Sequence, residues 1–299
     1  MTLALALITA VLLLGLIVLG ALVRGTDAEQ ACNETWFACN GRLIPPDGDP
    51  RAWLDWGHRA LALLVGLFSI STWLAARRYF DHRPDIRQPA YLGLGLLGGQ
   101  IVLGAGSMGD GWLSTLPMLH LALAIIMLSC MVAVVMRIGY QPPPRWFAQR
   151  ETFSTAVHGV TLMTFLVVIT GTLVVGSGAS ASCTNNPLCM STADDASIIH
   201  LVHRLTVLLL GILIGMLWWR AGHERTAEKE TRYTIASLAV LFSVQVVVGA
   251  LYALSGGHLL LSAVHVLLAV LTWSVAVGLS MVMLIQDRMH IDHLHLELE

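Results

Sequence analysis

An interval of 145 residues separates two copies of one pattern in this chain. His58-Arg59 returns as His203-Arg204, His120 as His265, and Gln100, Gly104 and Ala105 as Gln245, Gly249 and Ala250. QIVLGA and QVVVGA are one segment written twice, and the 62 residues between His58 and His120 are matched between His203 and His265. Self-similarity at a fixed interval is the mark of an internal duplication. Each half therefore presents one histidine pair, and the two pairs are expected to share a geometry.

Composition sets the solvent. Of 299 residues, 56% are apolar and only 12% charged, well outside the range of soluble domains. Charge is absent from residues 1–23, 60–76, 88–109, 111–136, 152–193, 205–219 and 233–286. With about 20 residues per crossing, and with the last run split at Ser255-Gly256-Gly257, these make eight transmembrane helices, four in each half. An even number per half puts both halves into the membrane in one orientation, as parallel repeats. The expected fold is an all-α integral membrane protein of eight transmembrane helices, arranged as two tandem, parallel-repeated four-helix bundles.

Twelve of the 17 Lys and Arg residues fall in one set of loops and the tail: Arg77, Arg78, Arg83, Arg87, Arg137, Arg145, Arg150, Arg220, Arg225, Lys229, Arg232 and Arg288. The positive-inside tendency makes that side, and both termini, cytoplasmic. The first apolar run lacks a basic leader and is as long as a full span, so it reads as a helix rather than a cleaved signal. A net charge of -2 without a basic stripe sets nucleic acid aside.

The outer loops carry the cysteines. ACNETWFACNGRLIPP holds Cys32 and Cys39 after the first helix, and SCTNNPLCM holds Cys183 and Cys189 after the fifth. The pairs correspond at an offset of 151 at the first cysteine. On an oxidising face they read as disulfides that staple the loops or as dithiol switches, with Cys32 expected to pair with Cys39 and Cys183 with Cys189. Cys130, inside the fourth helix, reads as a small buried apolar residue.

The second helix begins near Arg51 as AWLDWGHRALALLVG. Asp55 and His58, three residues apart, share a face, about 8 Å below the outer surface at 1.5 Å per residue. Ionisable groups at that depth persist by pairing or by function; an ion pair of Asp55 with Arg59 is the structural alternative to a chemical role. His120 on the fourth helix lies at a similar level, and His203 and His265 repeat the arrangement. Two facing histidines in an apolar four-helix bundle suit the axial ligation of a haem iron, and Arg59 and Arg204 suit its propionates. Zinc is less well served, since it asks for three or four converging ligands. His200 stands where Asp55 would repeat, and His82, His158, His223 and His258 read as solvated or interfacial. The tail HIDHLHLELE is acidic and amphipathic and suits surface contact.

These motifs resemble the haem A synthase family, membrane enzymes that convert haem O to haem A. The resemblance covers nearly the whole chain: VRGT followed by C-x3-W-x2-CNGRLIPP, DWGHR, and the Gln-to-Gly-Ala runs of the third and seventh helices. It implies an oxidoreductase that oxidises the C8 methyl of haem O to a formyl group. Residues 1–140 would hold the substrate haem through His58 and His120 with Arg59, and residues 141–299 a haem b cofactor through His203 and His265 with Arg204. Asp55 falls where the family usually has glutamate, in the catalytic position, one methylene shorter. Implied partners are haem O synthase, terminal oxidase assembly factors and membrane lipid, in a bacterial cytoplasmic membrane. The rival readings are a quinone-linked thiol-disulfide oxidase, which would use the cysteines but not four histidines, and a non-enzymatic haem carrier, which would not need Asp55.

Overall fold

The computed structural model describes residues 1–32, 38–106, 116–141, 151–177, 195–223 and 229–297. Among them the chain forms eight helices: α1 (Thr2–Gly25), α2 (Pro50–Tyr79), α3 (Pro84–Gly106), α4 (Leu116–Gly139), α5 (Glu151–Gly176), α6 (Asp195–His223), α7 (Lys229–Leu254) and α8 (Leu259–Glu297). All but α3 are long and apolar enough to cross a membrane. The 23-residue α3 matches them in length, but six glycines dilute its apolar side chains. Many side chains that face outward are themselves apolar, among them Val11, Leu67, Val102, Leu208, Ile212 and Val247. Such a surface suits lipid and not water, and the protein is a helical integral membrane protein.

Local chemistry explains the helix limits. Asp49 caps α2 by accepting from the amides of Arg51 and Ala52 at 3.1 and 3.2 Å, and Pro50 fills the first position, where no amide is needed. Arg77 and Arg78 close the same helix, where cations favour its negative end. The apolar run 233–286 breaks where Gly256 and Gly257 take φ of 70° and 99°, left-handed values that glycine adopts without a steric penalty. The acidic tail is no separate element. The backbone of α8 runs on as one helix of 39 residues, about 58 Å at 1.5 Å per residue, and so outlasts a hydrocarbon core of about 30 Å.

Helix α1 packs on α2 and α4, and α3 on α2 and α4; likewise α5 packs on α6 and α8, and α7 on α6 and α8. The contacts of α8 with α1 and α4 join the two rings. Phe153, Val157, Leu210, Leu217, Leu238 and Leu279 fill the second ring. Between the rings, Leu13, Ile125 and Leu128 meet Val270, Trp273 and Val277. The Trp273 indole N–H donates across this seam to the Ile125 carbonyl at 3.1 Å and to Ser129 Oγ at 3.0 Å. Cys130, the free cysteine among the described residues, is buried as expected.

Helices in lipid associate through packing and interhelical hydrogen bonds. Trp273→Phe keeps most of the volume and loses the bond, an expected cost of about 1 kcal/mol. Trp273→Ala adds a cavity and should cost about 3–5 kcal/mol. Unfolding of the detergent-solubilised variants should rank them in that order; equal losses would place the whole contribution in the hydrogen bond.

Candidate functional site

His58 and His120 come from α2 and α4, His203 and His265 from α6 and α8, and all four imidazoles are half-buried. Within each half the two rings lie within electrostatic range of each other. Each ring is seated by a glycine of the preceding helix. A methyl group on Gly20 of α1 would lie 3.0 Å from His58 Cε1, on Gly104 of α3 3.5 Å from His120 Cε1, on Gly171 of α5 3.1 Å from His203 Cε1, and on Gly249 of α7 2.7 Å from His265 Cε1. Carbon atoms settle at about 3.5–4.0 Å, so three of the four positions leave no room for even alanine without moving the ring. Gly104 and Gly249 belong to the repeated segment. Gly20 and Gly171, in GALVRGT and GTLVVGSG, are the partners that sequence reasoning missed; their common offset of 151 carries the signal.

The halves differ behind the rings. His203 Nδ1 lies 3.0 Å from Thr170 Oγ1, which also contacts Thr206 Oγ1 at 3.2 Å. His265 Nδ1 lies 3.2 Å from the carbonyl oxygen of Gln245, whose side-chain oxygen accepts from Thr272 at 3.1 Å. In the first half the Nδ1 atoms of His58 and His120 are buried and without a hydrogen-bond partner among the described residues. Gln100, the counterpart of Gln245, instead donates its amide to the His120 carbonyl at 2.8 Å.

Asp55 is 3% exposed and Arg59 6%. Spacing along the helix puts both His58 and Arg59 within reach of Asp55, and the carboxylate turns to Arg59. Oδ1 accepts from Arg59 Nε at 3.0 Å, and Oδ2 accepts from Arg59 Nη2 at 2.8 Å and from the Cys32 amide at 3.2 Å. Arg59 Nη2 also donates to the Cys32 carbonyl at 2.9 Å. The pair thus grips both backbone groups of Cys32, and two of the guanidinium nitrogens expected to face a propionate are directed to Asp55 and Cys32. Cys32 is bonded to Cys39 across a Cα separation of 4.4 Å, and both are buried against Ala52 and Trp56 of α2. Asn40 and Gly41 form the turn that follows, with φ of 53° and 79°, and Cys39 and Arg42 exchange backbone hydrogen bonds across it. Asn-Gly is the usual pair for a turn of that hand, a signal present in CNGR.

His200, at the position equivalent to Asp55, is buried, and its Nδ1 has no partner among the described residues. Arg204 follows His203 on α6. Cys183 and Cys189 lie outside the described residues. His158, expected to be interfacial, bonds across to α8: Nδ1 lies 3.1 Å from Ser280 Oγ, and Nε2 3.4 Å from Ser154 Oγ, which donates to Asp287 at 2.8 Å.

A helical membrane protein with an imidazole pair drawn from the second and fourth helices of each half is the class these features define. A family model described as COX15-CtaA, cytochrome oxidase assembly protein, matches residues 4–277, and the chain belongs to that family. It is similar to proteins named Heme A synthase from Bacillus cereus (strain 03BB102), 26% identical over 290 residues with 92% of each chain covered, and from Lysinibacillus sphaericus (strain C3-41), 28% identical over 267 residues with 83% of this chain and 84% of the relative covered. The relative of that name from Shouchella clausii is 27% identical over 247 residues, covering 79% and 81%.

Removing one member of a buried ion pair strands the other, a loss of about 3–5 kcal/mol. Arg59→Ala and Asp55→Ala should therefore each lower the unfolding temperature, and the double variant should lose less stability than the sum of the two single losses. Strict additivity in that double-mutant cycle would mean that the two side chains do not stabilise each other.

Proposed function

We propose that this protein is a haem A synthase, an oxidoreductase that oxidises the C8 methyl group of haem O to a formyl group and supplies haem A for terminal oxidase assembly. The observation that carries this reading is the set of four imidazoles, each seated on a glycine and paired within its half, in a membrane protein whose relatives bear that name.

The residues fit a porphyrin iron. An iron held by neutral imidazoles would take one nitrogen from each ring and leave the other to the protein. All four Nδ1 atoms are turned inward, bonded in one half and buried in the other. The described residues contain no group of three or more His, Cys, Asp or Glu that would suit a bare metal ion. In this reading residues 141–299 would hold haem b through His203 and His265, with Arg204 available for its propionates. Residues 1–140 would receive haem O at His58 and His120, with Arg59 available for its propionates once its contacts to Asp55 and Cys32 loosen. Bound haem b supplies a one-electron carrier beside the substrate half.

Taking a methyl carbon to a formyl group with oxygen from water removes four electrons, which pass to an external acceptor, and four protons, and Asp55 is the group proposed to accept protons one at a time and pass them on. It is an acid on the helix that carries His58, and the half without substrate has His200 in its place. While Arg59 and the Cys32 amide hold the carboxylate, its charge is compensated; acceptance of a proton requires the Arg59 contact to loosen. The Cys32–Cys39 bond then has a positioning role, because it fixes the backbone that Asp55 and Arg59 grip. A thiol-exchange function is disfavoured by burial, since Cys32 is 2% and Cys39 0% exposed and exchange needs an accessible sulfur. The corresponding bond between Cys183 and Cys189 is proposed for the second loop. Both termini are assigned to the cytoplasm of a bacterial cell and the cysteine loops to the outer face, with haem O synthase and oxidase assembly factors as partners.

Two outcomes are expected. His203→Ala and His265→Ala should abolish the low-spin b-type spectrum of the purified protein. Gly249→Ala, whose methyl falls 2.7 Å from the ring, should broaden or shift that spectrum, whereas Gly104→Ala, at 3.5 Å, is accommodated. An unchanged spectrum in both histidine variants would remove the haem assignment.

Asp55→Asn keeps the shape and a partner for Cys32 but cannot take up a proton, so conversion of haem O should fall by about 10²-fold or more with both haems retained. Asp55→Glu should remain active. Loss of stability and turnover together, with normal turnover in the surviving folded fraction, would assign Asp55 to the clamp alone.

A further inference from the structure

The two imidazole pairs sit in matching glycine seats, yet their surroundings were not copied. Gly20 and Gly171 align α1 with α5, which sets Leu19 against Thr170; the 145-residue offset sets Leu61 against Thr206 and Met127 against Thr272. Three positions that are apolar in the first half are thus hydroxyls in the second. Each of the three takes part in the hydrogen-bond chains that end on the Nδ1 atoms or the backbone of the second pair.

The direction of each bond follows from what the atoms can do. A hydroxyl has one hydrogen to give. Thr206 Oγ1 donates its hydrogen to the His203 carbonyl at 2.7 Å, and Thr170 Oγ1 is placed to donate to the Val167 carbonyl at 3.0 Å. Thr170 Oγ1 is 3.0 Å from both the Val167 carbonyl and His203 Nδ1; giving its hydrogen to the carbonyl of the preceding turn, as Thr206 does, leaves it a lone pair that suits a protonated His203 Nδ1. At His265 the partner is a backbone carbonyl, which can only accept, so Nδ1 carries the proton there too. In both rings Nε2 is then left with its lone pair. Thr272 Oγ1 shares its one hydrogen between the Leu268 carbonyl at 2.7 Å and Gln245 Oε1 at 3.1 Å, beside the residue whose carbonyl His265 uses. Among the described residues no hydroxyl bonds His58 Nδ1, and the positions matching Thr170 and Thr206 are Leu19 and Leu61.

We propose that Thr170 is a positioning residue that fixes the proton of His203 on Nδ1, making Nε2 a permanent and electron-rich ligand atom in the C-terminal site. This rests on the haem reading given above. A hydrogen bond from the far side of a ligating imidazole orients the ring, raises its basicity and tightens the metal's hold. A more basic ligand favours the oxidised iron, so the potential of this haem is lowered and its exchange slowed. The first half, with both Nδ1 atoms unpartnered among the described residues, lacks that reinforcement, as befits a site that must take in a haem and let another go.

The test uses the full-length holoprotein in detergent. Thr170→Val preserves shape and removes the hydroxyl; Thr170→Ser restores it. Redox titration with dithionite and ferricyanide, low-temperature EPR, and the rate of haem transfer to added apomyoglobin are read for wild type and both variants. Thr170→Val should raise the midpoint potential of the His203-dependent haem, shift its low-spin EPR signal and speed its transfer by about tenfold, the lower end of such outer-ligand effects. Thr170→Ser should return all three toward wild type. If Thr170→Val does not fold, Leu19→Thr tests the same bond by gain, with slower transfer from the N-terminal half expected. Wild-type values in folded Thr170→Val, or no change in Leu19→Thr where that variant is the test, would overturn the proposal while leaving the haem assignment intact. Absence of any His203-dependent haem in the wild-type protein would instead overturn the underlying reading.

Discussion

The structure depends on four places where a helix comes close enough to its neighbour for an imidazole to rest on bare backbone. Gly20, Gly104, Gly171 and Gly249 each lack the one carbon that would fill that space, and they join α1 to α2, α3 to α4, α5 to α6 and α7 to α8. These are also the helix pairs that pack most extensively. In lipid there is little hydrophobic drive to bring helices together, and small residues that permit close approach take its place. A glycine inside a helix costs about 1 kcal/mol against alanine. Here that loss is offset by contacts that serve the fold and the site at once, so neither can drift without the other.

Polar groups follow the same economy of position. An Asp-Arg pair buried near the membrane surface has little stabilising value in itself, because desolvation cancels much of the attraction. Asp55 and Arg59 reduce that penalty by sharing the backbone N–H and C=O of Cys32, groups that would otherwise need partners of their own. The disulfide then relays this order to the loop beyond Cys39. His158, Ser154, Ser280 and Asp287 make a comparable chain between α5 and α8, again by having each group satisfy another.

Much of this was legible in the sequence where a rule acts along the chain. Charge-free runs located the helices, Gly256-Gly257 divided α7 from α8, and the 145-residue interval selected the four histidines and two of their glycine seats. Rules that act between chain segments were not legible. Spacing three and spacing four are both neighbours on a helix, so Asp55 had two candidate partners, and only the position of Cys32 decides for Arg59. Gly20 and Gly171 carry no mark along the chain of the ring that the next helix rests on each. His158 looked interfacial because Ser280 and Asp287 are more than a hundred residues away. The second cysteine pair, Cys183 and Cys189, lies outside the described residues, and the sequence correspondence stands alone there.

The contrast between the halves is informative because the shared frame limits where change can occur. The glycine seats and the rings are retained, and at Gly20, Gly171 and Gly249 even a methyl group would press on the ring. Differences gather one layer out: Asp55 against His200, Leu19 against Thr170, Leu61 against Thr206, Met127 against Thr272. They are not scattered in kind. One half has the acid and apolar backing, the other has hydroxyls and no acid. A hydroxyl behind an imidazole holds its proton in one place, which suits a resident group; apolar backing leaves the ring held by shape alone, which suits an exchangeable one. An acid is useful only where protons are released. On the proposed reading these two requirements fall in different halves, and the partition of acid and hydroxyls between two otherwise matching pairs is what that division of labour demands.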